Sequence, residues 1–558
     1  MLPASDWPSQ TVAINGTSSH LGASLCGVDE LQADRWLFVA YDQLNEALFE
    51  PAKPHDGTLG LVFVESMEKA ARRPYHQQKL ALLLSNMRHF AVEMAVHYPV
   101  LYLSSSGTYS EALADVFGDS PLLCLEPAER ELRIDLEPLV ASGRLEVLPH
   151  VGWLTPHAWF VDSVGTEPPF RMDPFYRKVR NTTGWLMIDG QPMGGSYSHD
   201  ADNRKPWKGE PDAPAPPTFG VDALDREVEA LIRSHHGGHP GHVDMAALPT
   251  TKEQAEASLD YGMACMTWFG PYEDAMSERS RTLFHTRLAP LLNLHRVLPM
   301  EAATAAMSTD APLNSVEGFV RQLVWREYVH HVHVATDGFR SLDVNRTDAV
   351  RGAGWGEGPH EVDGGHPNHL EQRNPLFPAY WGAPSGLRCL DANVAAVIED
   401  GWTHHIPRLM VLSNLANLLD INPRALTDWF HAGFIDAFDW VVEPNVLGMG
   451  TFALGTAMMT KPYVSGSAYI HRMSDHCGSC AFHPKKTCPI TRLYWAYLNR
   501  HRPAFERNHR MSMAMRNAAK RSDDNKAEDE ATFLRVSEAL RLGQSLVTPD
   551  GDLRSFMT

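Results

Sequence analysis

The chain has 558 residues, 44% of them hydrophobic, and a formal net charge of -19. That length exceeds what one core usually organises, so two or more domains are expected, and the apolar content excludes a chain disordered at large. The opening residues hold no basic start followed by an apolar run and no later stretch stays apolar for about 18 residues, so neither export nor a membrane span is indicated and a cytoplasmic location is the expectation.

Residues 1–32 read as an N-terminal extension. Over 33–165 the β-prone runs "WLFVA", "LGLVFVES", "VLYLSSS" and "RLEVLPH" alternate with helical patterns. This alternation predicts an α/β domain with a doubly wound parallel sheet. In "KLALLLSNMRHFAVEM", Leu80, Leu83, Leu84, Met87 and Met94 recur at helical spacing and give one apolar face toward that sheet.

Residues 166–250 read as a linker, with five prolines between Pro206 and Pro217. Its "SHHGGHPGH" is a loop, because the intervening Gly and Pro deny four histidines a rigid scaffold. Amphipathic helical patterns dominate 251–521 and predict a second, all-helical domain. Within it, 338–375 is Gly- and Asp-rich without periodicity, the pattern of a surface insertion. The remainder, 522–558, reads as one amphipathic helix on a polar tether.

Seven cysteines is an odd count, which favours metal or cluster ligation over a disulfide framework in a reducing compartment. Cys477, Cys480 and Cys488 form C-x2-C-x7-C, a spacing that suits zinc and a four-iron, four-sulfur cluster alike and lacks a fourth ligand. From Arg472 to Arg521 eleven Lys or Arg face two acids, a local +9 in a chain that sums to -28 elsewhere. Such a stretch is either a solvated helix surface or a landing place for an anionic partner.

The stretch "KPYVSGSAYIHRMSDHCGSCAFHPKKTCPITRLYWAYLNRHRPAFERNHRM" resembles the C-terminal part of the bacterial photolyases and cryptochromes that carry an iron–sulfur cluster. "YDQLN", "LLLSNMRHFAVEM", "FYRKVRNTTGWLMIDGQPMGGSYSHDADNR" and "LNSVEGFVRQLVWREYVHHVH" extend the resemblance over residues 33 to 515. It implies the photolyase/cryptochrome fold, an α/β domain followed by a helical FAD-binding domain. It also implies a light-driven DNA lyase that repairs UV-induced pyrimidine dimers with an electron from excited reduced FAD. The lesion preference, (6-4) photoproduct or cyclobutane dimer, leans to the former. A blue-light cryptochrome with the same cofactors and a zinc-stabilised nucleic-acid-binding protein are the alternatives.

Carried over residue by residue, the resemblance makes Cys389 in "RCLDANVAAVIEDGWTHHIPRLM" the fourth cluster ligand beside Cys477, Cys480 and Cys488. Cys26, Cys124 and Cys265 are left as ordinary small apolar residues. Tyr272, Thr286 and Leu288 would approach the FAD phosphates and ribitol, with Ala289 where the general pattern has Ser. Arg408 would pair with Asp436 behind the isoalloxazine, with Arg321, Gln322 and Glu327 lining the same cavity. In "WVVEPN", Asn445 keeps its place, but Val442 stands where relatives carry an acid and the acid is Glu443. His404 and His405 are the candidates for lesion chemistry, His405 as proton donor, because histidine titrates nearest neutrality. Trp381, Trp429 and Tyr469 match electron-relay positions, and Asp42, Gln43 and Glu65 match the pocket of a 6,7-dimethyl-8-ribityllumazine antenna. UV-damaged DNA is the expected partner, bound by a monomer with no membrane involvement.

Overall fold

The computed structural model describes residues 10–342 and 366–557. Among the described residues its larger sheet has six strands, numbered in chain order from β1 (Val12–Ala13) to β6 (Leu145–Leu148) and arranged β1-β4-β3-β2-β5-β6. Strands β2 (Arg35–Phe38), β3 (Leu59–Ser66), β4 (Val100–Ser105), β5 (Leu122–Leu125) and β6 (Leu145–Leu148) run parallel. All eight residues of β3 are buried, as its near-continuous apolar run requires of a strand covered on both faces. The order reverses at β2, which pairs with β3 on one side and β5 on the other. The C-terminal ends of these strands therefore open a crevice, lined by Tyr41, Glu65, Lys69 and Glu129.

Helix α1 (Gln77–Met94) buries Leu80, Leu84, Met87 and Met94 as its periodicity predicts, while Leu83 is only half-buried. Its opposite side is not solvated: Lys79, Asn86 and His89 are buried too. Helix α2 (Ala223–His235), which lies in the stretch read as a linker, packs against α1. The "SHHGGHPGH" loop is fixed as well: Gln77 donates to the carbonyls of His239 and Gly241.

The helical part is organised around α3 (Leu313–Ala335), α4 (Arg388–Asp400), α5 (Pro423–Gly433), α6 (Ile490–Arg500) and α7 (Asp523–Arg541). Among the described residues no helix is long and apolar enough to cross a membrane.

Four organisational expectations change. The N-terminal extension is part of the sheet: β1 (Val12–Ala13) adds to β4 antiparallel, with Val12 opposite Ser104. Most of the expected surface insertion, 343–365, lies outside the described residues, but its C-terminal flank is interior, with Asn368, Leu370 and Gln372 buried. No tether separates α7 from the rest. Ser522 caps it by accepting from the Asn525 amide, and its buried Phe533, Val536 and Leu540 join the core that includes α6. Lastly, Cys124 and Cys265 are buried, but Cys26 is exposed rather than a core residue.

Candidate flavin and lesion site with its cysteine centre

Helix α4 ends at Gly401, whose φ of 60° places it in the left-handed region that closes helices. The chain then turns through Trp402 and Thr403, and a new helix starts at His405 with His404 at its cap. This break separates the two histidines. His404 is buried and stacks face to face on His285 at 4.0 Å. His405 keeps 39% of its side chain exposed and points its Nε2 at Glu273, 3.8 Å away.

Glu273 is a hub drawn from three distant segments. Its Oε1 accepts from Gln322 Nε2 at 2.9 Å, and its Oε2 accepts from Asn203 Nδ2 at 2.7 Å and Arg321 Nη2 at 3.4 Å. Burial, with His405 alongside, drives His285 well below the usual imidazole range, and burial together with His285 does the same to His404. Next to this hub, burial and the Glu273 charge push Asp274 up to about 6.

One helical turn after His404, Arg408 grips Asp436 with both terminal nitrogens at 2.9 Å, donates its Nε to the Thr403 carbonyl, and lies 4.2 Å over the Phe434 ring. Asp436 is itself braced from behind. Asn293 donates to its carbonyl, and Lys79 of α1 donates to the neighbouring Ala437 carbonyl at 2.6 Å. The Arg408–Asp436 pair and the three histidines thus form one connected wall.

The other flavin candidates scatter more. Tyr272 stacks on Phe284 at 5.4 Å and Thr286 is buried near Gly262, whereas Leu288 belongs to the apolar core around Leu291. Asn445 is fully engaged, accepting from Trp325 and donating to the Val441 carbonyl. Two expectations are corrected. Glu327 does not share the cavity of Arg321 and Gln322: six residues beyond Arg321, it sits on another face of α3. It accepts there from Thr155 and Arg326, and burial raises it to about 7. Glu443 spends both oxygens inside the protein, on Arg424 at 2.6 Å and His333 at 2.9 Å. Burial opposes its ionisation, but Arg424 and His333 hold the carboxyl below its usual range, so it is a structural anion.

Of the aromatic candidates, Trp429 is buried in edge contact with Tyr380 at 5.3 Å and Phe434 at 5.8 Å, so one ring separates it from Arg408. Trp381 follows Tyr380 at the rim of the same core, and Tyr469 donates to Asp274 at 3.3 Å. Asp42 and Gln43, just after β2, each hold a buried oxygen with no protein donor, though neither lines the sheet crevice. Glu65 does line it, with both oxygens held by Arg88 and Tyr102 donating a third hydrogen bond.

The cysteines converge. Cys389 opens α4, and Cys477, Cys480 and Cys488 pack against its core, all four as free thiols. Burial and the three other thiols push Cys389 well above its usual range; burial takes Cys477 to about 11 and Cys488 to about 12. Among the described residues, the groups whose ligand atoms lie within 4.8 Å of one another are His285/His404/His405 and His89/Asp222/Asp225. No trio of these cysteines is that tight. His476, beside Cys477, joins the two sides through Asn393 of α4 at 3.3 Å and Glu278 at 3.0 Å.

The basic stretch divides. Arg492 and Arg521 converge on the fully buried Asp529 of α7, and Arg500 lies 3.7 Å over its Phe533 ring. These cations dock the last helix. Lys485, Lys486, Arg507, Arg510, Arg516 and Lys520 are exposed. Sequence reasoning missed Glu273, Asn203 and His285, whose roles appear only when segments 70 to 130 residues apart meet.

Comparison with known proteins agrees with this geometry. Residues 37–247 match the family model for deoxyribodipyrimidine photo-lyase-related protein, and 319–476 match the FAD binding domain of DNA photolyase. A (6-4) photolyase of Agrobacterium fabrum is 31% identical over 486 residues, 83% of this chain and 91% of its own. An uncharacterized protein of Acanthamoeba polyphaga mimivirus is 39% identical over 66 residues, 12% of this chain and 54% of its own. The crystal structure of a bacterial class III photolyase from Agrobacterium tumefaciens superposes with a TM-score of 0.53 at 14% identity, covering 92% of this chain and 99% of that one, a likeness of fold. With the FAD-binding domain match carrying the Arg408–Asp436 wall and a 31% identical relative aligned over 83% of the chain, the chain belongs to the DNA photolyase family.

Proposed function

We propose that this protein is a light-driven DNA photolyase acting on (6-4) photoproducts. The observation that carries the reading is His405, a half-exposed imidazole set one turn from the Arg408–Asp436 pair in a chain matching a (6-4) photolyase over 91% of that protein's length.

FAD, when bound, would supply the light-driven electron; everything else falls to the chain's own residues. Arg408, with one face open at 22% exposure, and Asp436 form a fixed dipole wall suited to a flavin ring. Gln322 and Arg321, held by Glu273, offer polar contacts at the mouth where a flipped lesion would enter. His405 Nε2 holds the proton that the lesion needs as charge arrives, while the buried, neutral His404 and His285 shape the wall behind it. The exposed cations from Lys485 to Lys520 supply phosphate contacts.

The four free thiols, brought together from Cys389 and the C-x2-C-x7-C run, supply the four ligands of a four-iron, four-sulfur cluster, the centre that the family resemblance implies. Bound there, the cluster would tie α4 to the loop before α6. Asp42 and Gln43, with their unpartnered oxygens, fit a chromophore carrying N–H or O–H donors such as the lumazine.

Blue light on the reduced protein with DNA bearing one defined (6-4) lesion is expected to restore undamaged bases. Light-dependent flavin spectra without restored bases would establish a photoreceptor instead. His405→Ala should lower repair at least about 100-fold and leave flavin photoreduction unchanged.

A further inference from the structure

Three histidines crowd the lesion side of this wall, and nothing in their own chemistry says which of them carries the proton. The neighbours decide. His285 and His404 are buried ring on ring at 4.0 Å. His285 meets His405 edge-on at 5.5 Å, and His404 lies 6.1 Å from it. Only His405 has a carboxylate at its ring nitrogen, Glu273 at 3.8 Å.

We infer that Glu273 is a positioning residue that selects His405 as the protonated member of the His285–His404–His405 cluster and fixes the direction of its Nε2. The inference rests on the photolyase reading for its consequence in repair, though the protonation pattern stands by itself. Glu273 is 2% exposed and is anchored by amide donors from Asn203 and Gln322, so the carboxylate cannot swing away from the imidazole. An anchored anion 3.8 Å from the ring nitrogen, beyond direct hydrogen-bond reach, acts through its charge: it favours the imidazolium and draws the positive Nε2–H edge toward itself.

Every charged group facing His405 enters the balance. Burial lowers its proton affinity first; Glu273 opposes that most strongly, Arg321 and Arg408 reinforce it, and Asp200 opposes it weakly, so that His405 ends lowered but not driven well below the usual imidazole range as His285 and His404 are. His285 and His404, both held neutral by burial, add no net charge. Removing Glu273 leaves Arg321 with Glu317 at 3.4 Å and Asp200 at 3.6 Å, so the substitution does not strand that cation.

The test is Glu273→Gln, which keeps shape and hydrogen bonds but removes the charge, with Glu273→Asp as the conservative control. In the dark, without DNA, the His405 Cε1–H resonance of the FAD-loaded protein is titrated by NMR and assigned by its loss in His405→Ala. E273Q should move its midpoint acidward by about one pH unit, and E273D in the same direction by less. The alkaline limb of repair should shift by the same amount, giving about tenfold less repair on that limb and little loss in mild acid. An unmoved His405 midpoint, or a uniform drop in repair at every pH, would overturn the inference. If E273Q does not load FAD, the E273D midpoint decides, since a retracted carboxylate must still shift it measurably. A shifted midpoint in a protein that repairs nothing would refute the photolyase reading and leave the role of Glu273 standing.

Discussion

Two buried polar clusters flank the segment from His431 to Asp439, and they are built on opposite principles. At the sheet crevice, Lys69 sits 2.8 Å from Glu129 and 2.9 Å from Glu131, Arg73 reaches Glu131 at 2.6 Å, and Tyr41 donates to Glu129. Every one of those charges has an opposite within reach. On the lesion side, three imidazoles meet one carboxylate, and two of the rings stay neutral. Matched charges in a dry interior lock geometry, because losing one partner strands the other. A carboxylate beside one of three crowded imidazoles leaves that ring the easiest of the three to protonate. The first cluster is a brace; the second is the proposed lesion site.

Breaking the brace should give the largest loss of stability. Glu129→Ala leaves Lys69 short of a partner and should cost about 3–5 kcal/mol in denaturant unfolding, while the pH profile of repair keeps its shape. A shifted profile with unchanged stability would invert the contrast between the clusters. The same residue predicts the acid response. Burial opposes ionisation of Glu129, but Lys69 and His431 hold its folded carboxyl below the usual value near 4.5. Its contribution is therefore present above about pH 4.5 and is lost as pH falls toward the lower folded value. Wild-type stability should drop across that acidic window, and the slope should flatten in Glu129→Gln.

A smaller loss is expected at the far end of the helical part. Asp529→Ala removes the one buried acid that Arg492 and Arg521 share and should cost about 1–3 kcal/mol. Limited proteolysis should then cut first near α7 while FAD remains bound. The smallest effect belongs to Gly401→Ala. Its φ of 60° and an added Cβ 2.7 Å from Ile435 predict a loss of about 1 kcal/mol in thermal unfolding. If FAD affinity fell with it, the turn would be setting the positions of His404 and Arg408 as well as closing α4.

The fourth cysteine and the Arg408–Asp436 pair were expected from the family resemblance alone: spacing left Cys477, Cys480 and Cys488 without a fourth ligand, and nothing local in the sequence joins Arg408 to Asp436. Glu273 was not, since the acid pair in "GPYEDAM" looks like any surface carboxylates until Asn203 and Gln322 arrive. Glu443 and Glu327 misled in the converse way. The partners that claimed them, Arg424 and Thr155, come from other segments. The strand β1 is two residues long, too short for any alternation to announce it.

That short strand has a consequence for handling the protein. β4 lies next to the rim, and the N-terminal segment covers its outer side: Val12 and Ala13 pair with it, Ile14 donates to the Tyr102 carbonyl, and Asn15 bonds both Val100 and Tyr102. A chain begun at residue 33 would keep every cofactor and lesion residue named above yet present β4 as a bare, apolar edge with unpaired amides and carbonyls. Such an edge recruits strands from other molecules. The truncated protein should bind FAD normally at high dilution and self-associate as its concentration rises, so the N-terminal segment acts as a solubility guard for the fold.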